Sequence, residues 1–208
     1  MEDNKTDKCC AESTQLNLGQ SYWNKQYETN TTGWDLGEVS PPIKAYIDQI
    51  QNKNCRILIP GCGNTYEADY LLQQNFTNIT IIDIAPTLVE KLKNKYADNP
   101  NIHIILGDFF THHGQYDLII EQTFFCAINP TLRESYVKKM IELLAPNGKL
   151  MGVLFDRTFD IQGPPFGGSQ EEYKKSFEPN FDFIHFMPCY NSYHKRANTE
   201  LFILLQKK

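Results

Sequence analysis

Two glycines sit where a short apolar run stops. Arg56-Ile57-Leu58-Ile59 leads into Pro60-Gly61-Cys62-Gly63-Asn64-Thr65, and the helix-like segment Tyr66 to Gln74 follows directly. A strand-turn-helix corner at the carboxyl edge of a parallel sheet is where nucleotide ligands sit. A residue without a Cβ lets such a ligand approach the backbone. The pattern lacks the third glycine of the dinucleotide fingerprint, so alone it also fits an ordinary tight turn. Asp83 adds to it, ending the next apolar run, Ile79 to Ile82, about twenty residues past the loop. A carboxylate there accepts from both hydroxyls of a ribose, and it can also cap the helix opening at Ala85-Pro86. The third run ends in Gly107-Asp108-Phe109-Phe110. Asp108 can accept from the amino group of an adenine while Phe109 packs on the base; the alternative is a second helix cap. Three successive run ends carrying such residues point to an adenosyl ligand.

These residues leave both NAD and S-adenosylmethionine open. The missing glycine disfavours a pyrophosphate clamp, and S-adenosylmethionine has no phosphate to seat. Tyr22, Trp23, Tyr27 and Trp34 precede the loop, and their ring faces suit a sulfonium cation. Aromatics at i and i+4 also pack a helix onto a core. Cys62 and Cys126 have no paired base. His112, His113, His185 and His194 offer no strong base candidate. None of the six cysteines forms a Cys-x-x-Cys pair, so they read as small apolar core residues of a reducing compartment. The vicinal Cys9-Cys10 pair lacks the convergent ligands a metal needs, and no metal site is expected.

The elements that position these residues alternate. Ser40-Pro41-Pro42 opens a helix with Ile43, Ile47 and Ile50 on one face, Ser40 standing as its N-cap. Strands follow at 56–59, 79–82, 102–106, 116–121 and 149–155, with helices at 66–74, 85–96 and 132–144, the last stopped by Pro146-Asn147-Gly148. Such alternation implies crossover connections and a parallel sheet with helices on both faces. Gly163-Pro164-Pro165-Phe166-Gly167-Gly168 reads as a loop or lid. Ser169-x-x-Glu172 is a capping box, and strands are expected at 181–187 and 201–205. Residues 1–18 read as a disordered leader and 19–208 as a single domain.

Composition sets the class. The 208 residues carry a net charge of -5 without blocks of like charge, which argues against nucleic acid and anionic membranes as partners. No apolar run is long enough to span a bilayer, and the start of the chain lacks the apolar core of a signal peptide. A cytoplasmic monomer acting on a small-molecule acceptor is the expectation.

The run Trp23-x-x-x-Tyr27, Gly33-Trp34, Pro60-Gly61-Cys62-Gly63, Phe124-Phe125-Cys126-Ala127-Ile128-Asn129-Pro130 and Gly163-Pro164-Pro165-Phe166 resembles the thiopurine S-methyltransferase family and, within it, the plant-type thiol and halide methyltransferases. The resemblance extends from about Tyr22 to the C-terminus. It implies a three-layer class I methyltransferase (Rossmann-like) fold, with a seven-stranded, mostly parallel sheet whose last strand is antiparallel. It implies S-adenosylmethionine as cofactor and S-adenosylhomocysteine as product. By the same resemblance, Trp23, Tyr27, Trp34, Gly61, Gly63, Glu67, Asp83, Asp108, Phe109 and Glu121 are cofactor-binding. Trp34, Gln122, Phe125 and Phe166 face the acceptor, and Glu121 and Gln122 align the reactants. Tyr27 departs from the family's frequent Trp. Glu67 also reads as a favourable charge in a first helical turn. Gln122 stands where thiopurine-methylating relatives tend to carry Arg, which disfavours a thiopurine-like anion. Arg196 and Glu200 match a late Arg and Glu without an assigned role.

The chemistry so implied is in-line displacement at a sulfonium methyl. The leaving group is already good, so alignment and exclusion of water matter more than a base. A thiolate, bisulfide or halide brings no proton to lose. The alternatives are a cofactor-binding protein without transfer activity and an NAD(P)-dependent oxidoreductase; the latter would need the full glycine fingerprint and a hydride-site residue.

Overall fold

A computed structural model describes residues 17–208; the Cys9-Cys10 pair and most of the expected leader lie outside the described residues. The chain runs α1 (Gln20–Glu28), α2 (Pro41–Ile47), β1 (Ile57–Pro60), α3 (Tyr66–Gln73), β2 (Ile79–Asp83), α4 (Pro86–Lys95), β3 (Ile102–Leu106), β4 (Tyr116–Gln122), α5 (Arg133–Leu143), β5 (Leu144–Phe155), α6 (Gln170–Phe177), β6 (Phe181–Pro188) and β7 (Glu200–Lys207). The seven strands form one sheet in the order β3-β2-β1-β4-β5-β7-β6. β1 to β5 are parallel, and β7 runs antiparallel to both neighbours.

Alternation along each strand sorts the apolar residues onto two faces. Ile57, Ile59, Ile79, Ile81, Leu118, Ile120 and Met151 meet α2, α3 and α4 through Ile43, Ile47, Leu71, Leu88 and Leu92. Leu58, Ile82, Ile119, Leu150 and Leu154 meet α5 and α6 through Tyr136, Val137, Met140, Tyr173 and Phe177. Burial on both faces is why the central strands read as continuous apolar runs. The order reverses beside β1, and the ends of β1, β2 and β4 open there as the crevice of a doubly wound sheet.

Two expectations need correction. β5 starts at Leu144 rather than Lys149, because Leu144 pairs with Tyr116 and the register shifts before Leu118 meets Lys149. Asn147 absorbs the bend at φ 62°. Ser40 stands at the N-cap position of α2 as expected, but its side chain makes no cap bond there. Pro41 and Pro42 lack N–H groups to cap, and the Ser40 amide instead donates to Glu67 Oε1 at 3.2 Å. The capping box on α6 forms as expected.

Gly152 on β5 is required by packing: a Cβ there would stand 2.0 Å from the Glu121 carbonyl oxygen and 2.6 Å from its Cβ. Backbone cannot yield cheaply. Gly152→Ala is therefore expected to cost about 3 kcal/mol and lower the melting temperature by roughly 10 °C in a thermal scan.

Candidate functional site

The strand ends at the switch point, α1 and the loops after β4 and β5 enclose a cavity of about 1010 Å³. That is the upper end of the range for small-molecule sites, with room for a cofactor and an acceptor together.

The glycine turn forms its floor. Gly61 and Gly63 have φ of 55° and 53°, a left-handed conformation that glycine adopts without strain. A Cβ on Gly61 would stand 2.2 Å from the Phe124 ring, and one on Gly63 would stand 3.5 Å from the Tyr27 hydroxyl. Asp83 is 7 % exposed and ties the turn to β2. Its Oδ2 accepts from Gly63 N at 3.2 Å and its Oδ1 from Ala85 N at 3.0 Å. Each oxygen keeps a further lone pair for a ligand hydroxyl. Asp108 accepts from Phe110 N at 2.9 Å as cap of the 3₁₀ turn Phe109–Thr111. The cap reading is thus realised, and Asp108 and Phe109 both line the cavity.

The aromatic segment makes the roof. Trp34 meets Trp23 and Tyr27 edge to face, with ring centroids 5.5 and 5.8 Å apart. Asn24 Oδ1 accepts from Thr87 N at 2.8 Å and so fastens α1 to the start of α4. Asn17 and Leu18, expected in the leader, also line the cavity.

Glu67 reaches the wall from the first turn of α3 and is 5 % exposed. Burial raises its pKa, which the bond from Ser40 and the Arg196 charge partly offset. Arg196, left without a role by the sequence reading, is brought to the cavity by the fold. It lines the cavity, donates through Nη2 to the Trp34 carbonyl at 2.8 Å and pairs with Glu200 at 3.5 Å. Its guanidinium lies 5.2 Å from the centroid of Phe155. Among the described residues it is the one Lys or Arg in a wall that carries the five acids Asp35, Glu38, Glu67, Asp83 and Asp108. Its sequence signal is the match to the family's late Arg and Glu, which carries no role.

Three predicted site residues lie behind the wall rather than in it. Glu121 follows Ile119 by two on β4 and so points to the α5 face, where it is fully buried. Its Oε1 accepts from Phe124 N and Phe125 N at 2.8 and 2.9 Å, and its Oε2 from the Tyr136 hydroxyl at 2.5 Å. Gln122 points the other way and lines the cavity. Phe125 is 1 % exposed and packs against Tyr136 and Tyr173 with the Arg133 guanidinium 4.8 Å from its centroid. Phe166 is held by its backbone. Its N–H donates to Cys126 O at 2.7 Å, and Arg133 binds its carbonyl and that of Gly167. The loop read as a lid is thus tied to its neighbours by these bonds, and Pro164 and Pro165 line the cavity.

Cys55, Cys62, Cys126 and Cys189 are free and buried. Among the described residues no cluster of three metal-ligating side chains occurs, and no helix is long and apolar enough to cross a membrane.

Residues 18–200 match the thiopurine S-methyltransferase family. A probable thiol methyltransferase 2 of Arabidopsis thaliana is 34 % identical over 162 residues, covering 76 % of this chain and 71 % of that protein. The chain belongs to the thiopurine S-methyltransferase family. It is an S-adenosylmethionine-dependent methyltransferase, and the family excludes the oxidoreductase alternative. A thiocyanate methyltransferase 1 of the same plant is 31 % identical over 150 residues, 69 % of this chain and 65 % of that protein. A thiopurine S-methyltransferase of Acinetobacter baylyi is 26 % identical over 190 residues, 79 % of this chain and 86 % of that protein. The fold is that of the Burkholderia thailandensis 1,6-didemethyltoxoflavin-N1-methyltransferase, solved with S-adenosylhomocysteine. The TM-score is 0.72 at 15 % identity, covering 91 % of this chain and 87 % of that one.

The cofactor fits this methyltransferase on two observations. At Gly63 the turn leaves space that a Cβ would fill. Thr65 Oγ1 and Gln122 Oε1 are buried in the cavity wall without protein partners, where a ligand rich in polar groups supplies them.

Buried acids make stability depend on pH. Burial pushes Glu121 up to about 7, against hydrogen bonds from Tyr136, Phe125 and Phe124 that lower it. It also raises Glu67, Asp83 and Glu200. A folded-state pKa above the unfolded value favours folding at low pH. The Glu121 contribution is full below its ordinary value of 4.5 and is lost as pH rises through about 7. The apo enzyme is expected to resist urea better at about pH 5.5 than at about pH 8.5, and Glu121→Gln is expected to flatten that difference.

Proposed function

We propose that this enzyme methylates a small soft anion, a thiolate, bisulfide, halide or thiocyanate, held at the Arg196 end of the cavity. The observation that carries the reading is Arg196 itself, among the described residues the single Lys or Arg in a wall that holds five acids, aromatic rings and uncharged polar groups. Five acids suit a cofactor with a sulfonium and an ammonium, and an anionic acceptor needs a cation of its own. Ile128, Leu132, Phe155 and Pro165 line the cavity as well and exclude water from the nucleophile. The names of the plant thiol and thiocyanate methyltransferases agree with this class. Gln122, in place of an Arg, makes a thiopurine the less favoured acceptor.

In this reading Asp83 accepts from the ribose hydroxyls, and Asp108 and Phe109 hold the adenine. Gly61 and Gly63 admit the methionine end beside Glu67, while Trp23, Tyr27 and Trp34 face the sulfonium. Gln122 and Trp34 border the acceptor. When bound, the cofactor supplies an electrophilic methyl on a good leaving group. The chain's part is to align the anion behind that methyl and keep it dry. We also propose that residues 19–208 form one domain working as a cytoplasmic monomer, without nucleic-acid or membrane partners.

The test is incubation of the pure enzyme with labelled S-adenosylmethionine and a panel of iodide, bisulfide, thiocyanate, small thiols and a thiopurine. Methyl transfer to the soft anions ahead of the thiopurine is expected. Cofactor binding without product on any acceptor would favour a carrier, and a thiopurine as the best acceptor would reverse the assignment.

A further inference from the structure

We propose that Glu121 is a positioning residue: it touches neither cofactor nor acceptor, and it locks the loop after β4 so that Gln122 and Phe124 are presented to the cavity.

The loop turns at Thr123, a β-branched residue with φ of 59°, where such side chains are strained and need neighbours to hold them. Glu121 does this with one carboxylate. Two successive amides, of Phe124 and Phe125, donate to its Oε1, and the Tyr136 hydroxyl of α5 donates to its Oε2. The charge is fully buried, and these three charge-assisted bonds from protein groups hold it. The locked loop then delivers the wall. Gln122, Thr123, Phe124 and Cys126 all line the cavity, and the Phe124 ring lies directly on Gly61. The lock extends outward, since the Cys126 carbonyl accepts from Phe166 N and so seats the loop that carries Pro164 and Pro165. The proposal does not depend on which anion accepts the methyl group.

Burial places the Glu121 titration near neutrality. Protonation replaces a charged acceptor with a neutral one and loosens the loop. The groups facing it are Tyr136 of α5 and Cys126 of the loop; Tyr173 of α6 and Glu200 of β7 line the same small internal cavity.

The experiment measures S-adenosylhomocysteine affinity by calorimetry, together with kcat and acceptor KM, on the full chain. Glu121→Gln is expected to weaken that affinity about tenfold, and Phe124→Leu to weaken it comparably. The double variant should be little worse than Phe124→Leu alone, because one change acts through the other. The native affinity should fall as pH drops through about 7, and Glu121→Gln should lose that dependence. Affinity and kcat within about twofold of native, fully additive losses, or an unchanged pH profile in Glu121→Gln would each overturn the proposal. If Glu121→Gln does not fold, Tyr136→Phe removes a single bond of the lock and is read by the same coupling to Phe124→Leu.

Discussion

Asp83→Asn is expected to weaken binding of S-adenosylhomocysteine by about 10²-fold, the largest loss of affinity for any single atom exchanged in the cofactor cavity. The native carboxylate accepts from Gly63 N and Ala85 N, one oxygen each, and it lines the cavity with acceptor capacity to spare. Asparagine keeps one acceptor oxygen. Its amide group must face either the Gly63 or the Ala85 N–H, donor against donor, and that side can no longer accept from a ribose hydroxyl. A hydrogen bond to a charged group contributes about 1.5–3 kcal/mol, and one lost bond plus a disturbed glycine turn gives about 2.7 kcal/mol, or 10²-fold. Calorimetric titration checks this. An affinity within about threefold of native would mean that Asp83 organises the turn without meeting the ribose.

Much of that site is legible in the chain because its logic is local. A central parallel strand is buried on both faces, so Ile57–Ile59 and Ile79–Ile82 read as apolar runs broken only at Thr80, while the edge strand Ile102–Leu106 is partly exposed and carries His103; the residue that ends each run stands at the ligand edge. The same double burial hides which way a side chain points. Leu118-Ile119-Ile120 is apolar on both faces, so nothing in it says that Glu121 turns to α5 and Gln122 to the cavity. The neighbours Phe124 and Phe125 are chemically identical, yet one lies on Gly61 and the other under Arg133. Their sorting depends on the left-handed turn at Thr123, a residue type with no preference for such a conformation. Phe166 stands as a lining ring by family resemblance alone, but Arg133 and Cys126 hold that loop's backbone, and Pro164 and Pro165 line the cavity in its place. Arg196 stands in the sequence only as a match to the family's late Arg. Its value as the cavity's cation arises only from the bond to Trp34, a partner 162 positions away, and no local pattern carries that.

Arg196→Met is expected to raise the KM for an anionic acceptor by roughly 10- to 100-fold. At about 5 Å and an effective dielectric near 20, a unit charge pair is worth about 3 kcal/mol, and desolvation of the anion removes part of that. The same change strands Glu200, whose side chain is 3 % exposed, and an unpaired buried carboxylate costs about 3 kcal/mol of stability. The two effects separate in the Arg196→Met/Glu200→Gln double variant. It should regain most of the stability in a urea titration while the acceptor KM stays high. Arg196→Lys divides the role further. It keeps the charge, so acceptor KM should recover in part, but it lacks the fork that serves the Trp34 carbonyl and Glu200 together, so affinity for S-adenosylhomocysteine should fall through the loosened Trp34. Iodide is the decisive acceptor, because it has no proton and any pH dependence of its KM belongs to the protein. If Arg196→Met left the iodide KM unchanged while lowering stability, the guanidinium would be a brace for Glu200 and Trp34, and the anion would have to be held by the aromatic rings and by the cofactor's own positive charge.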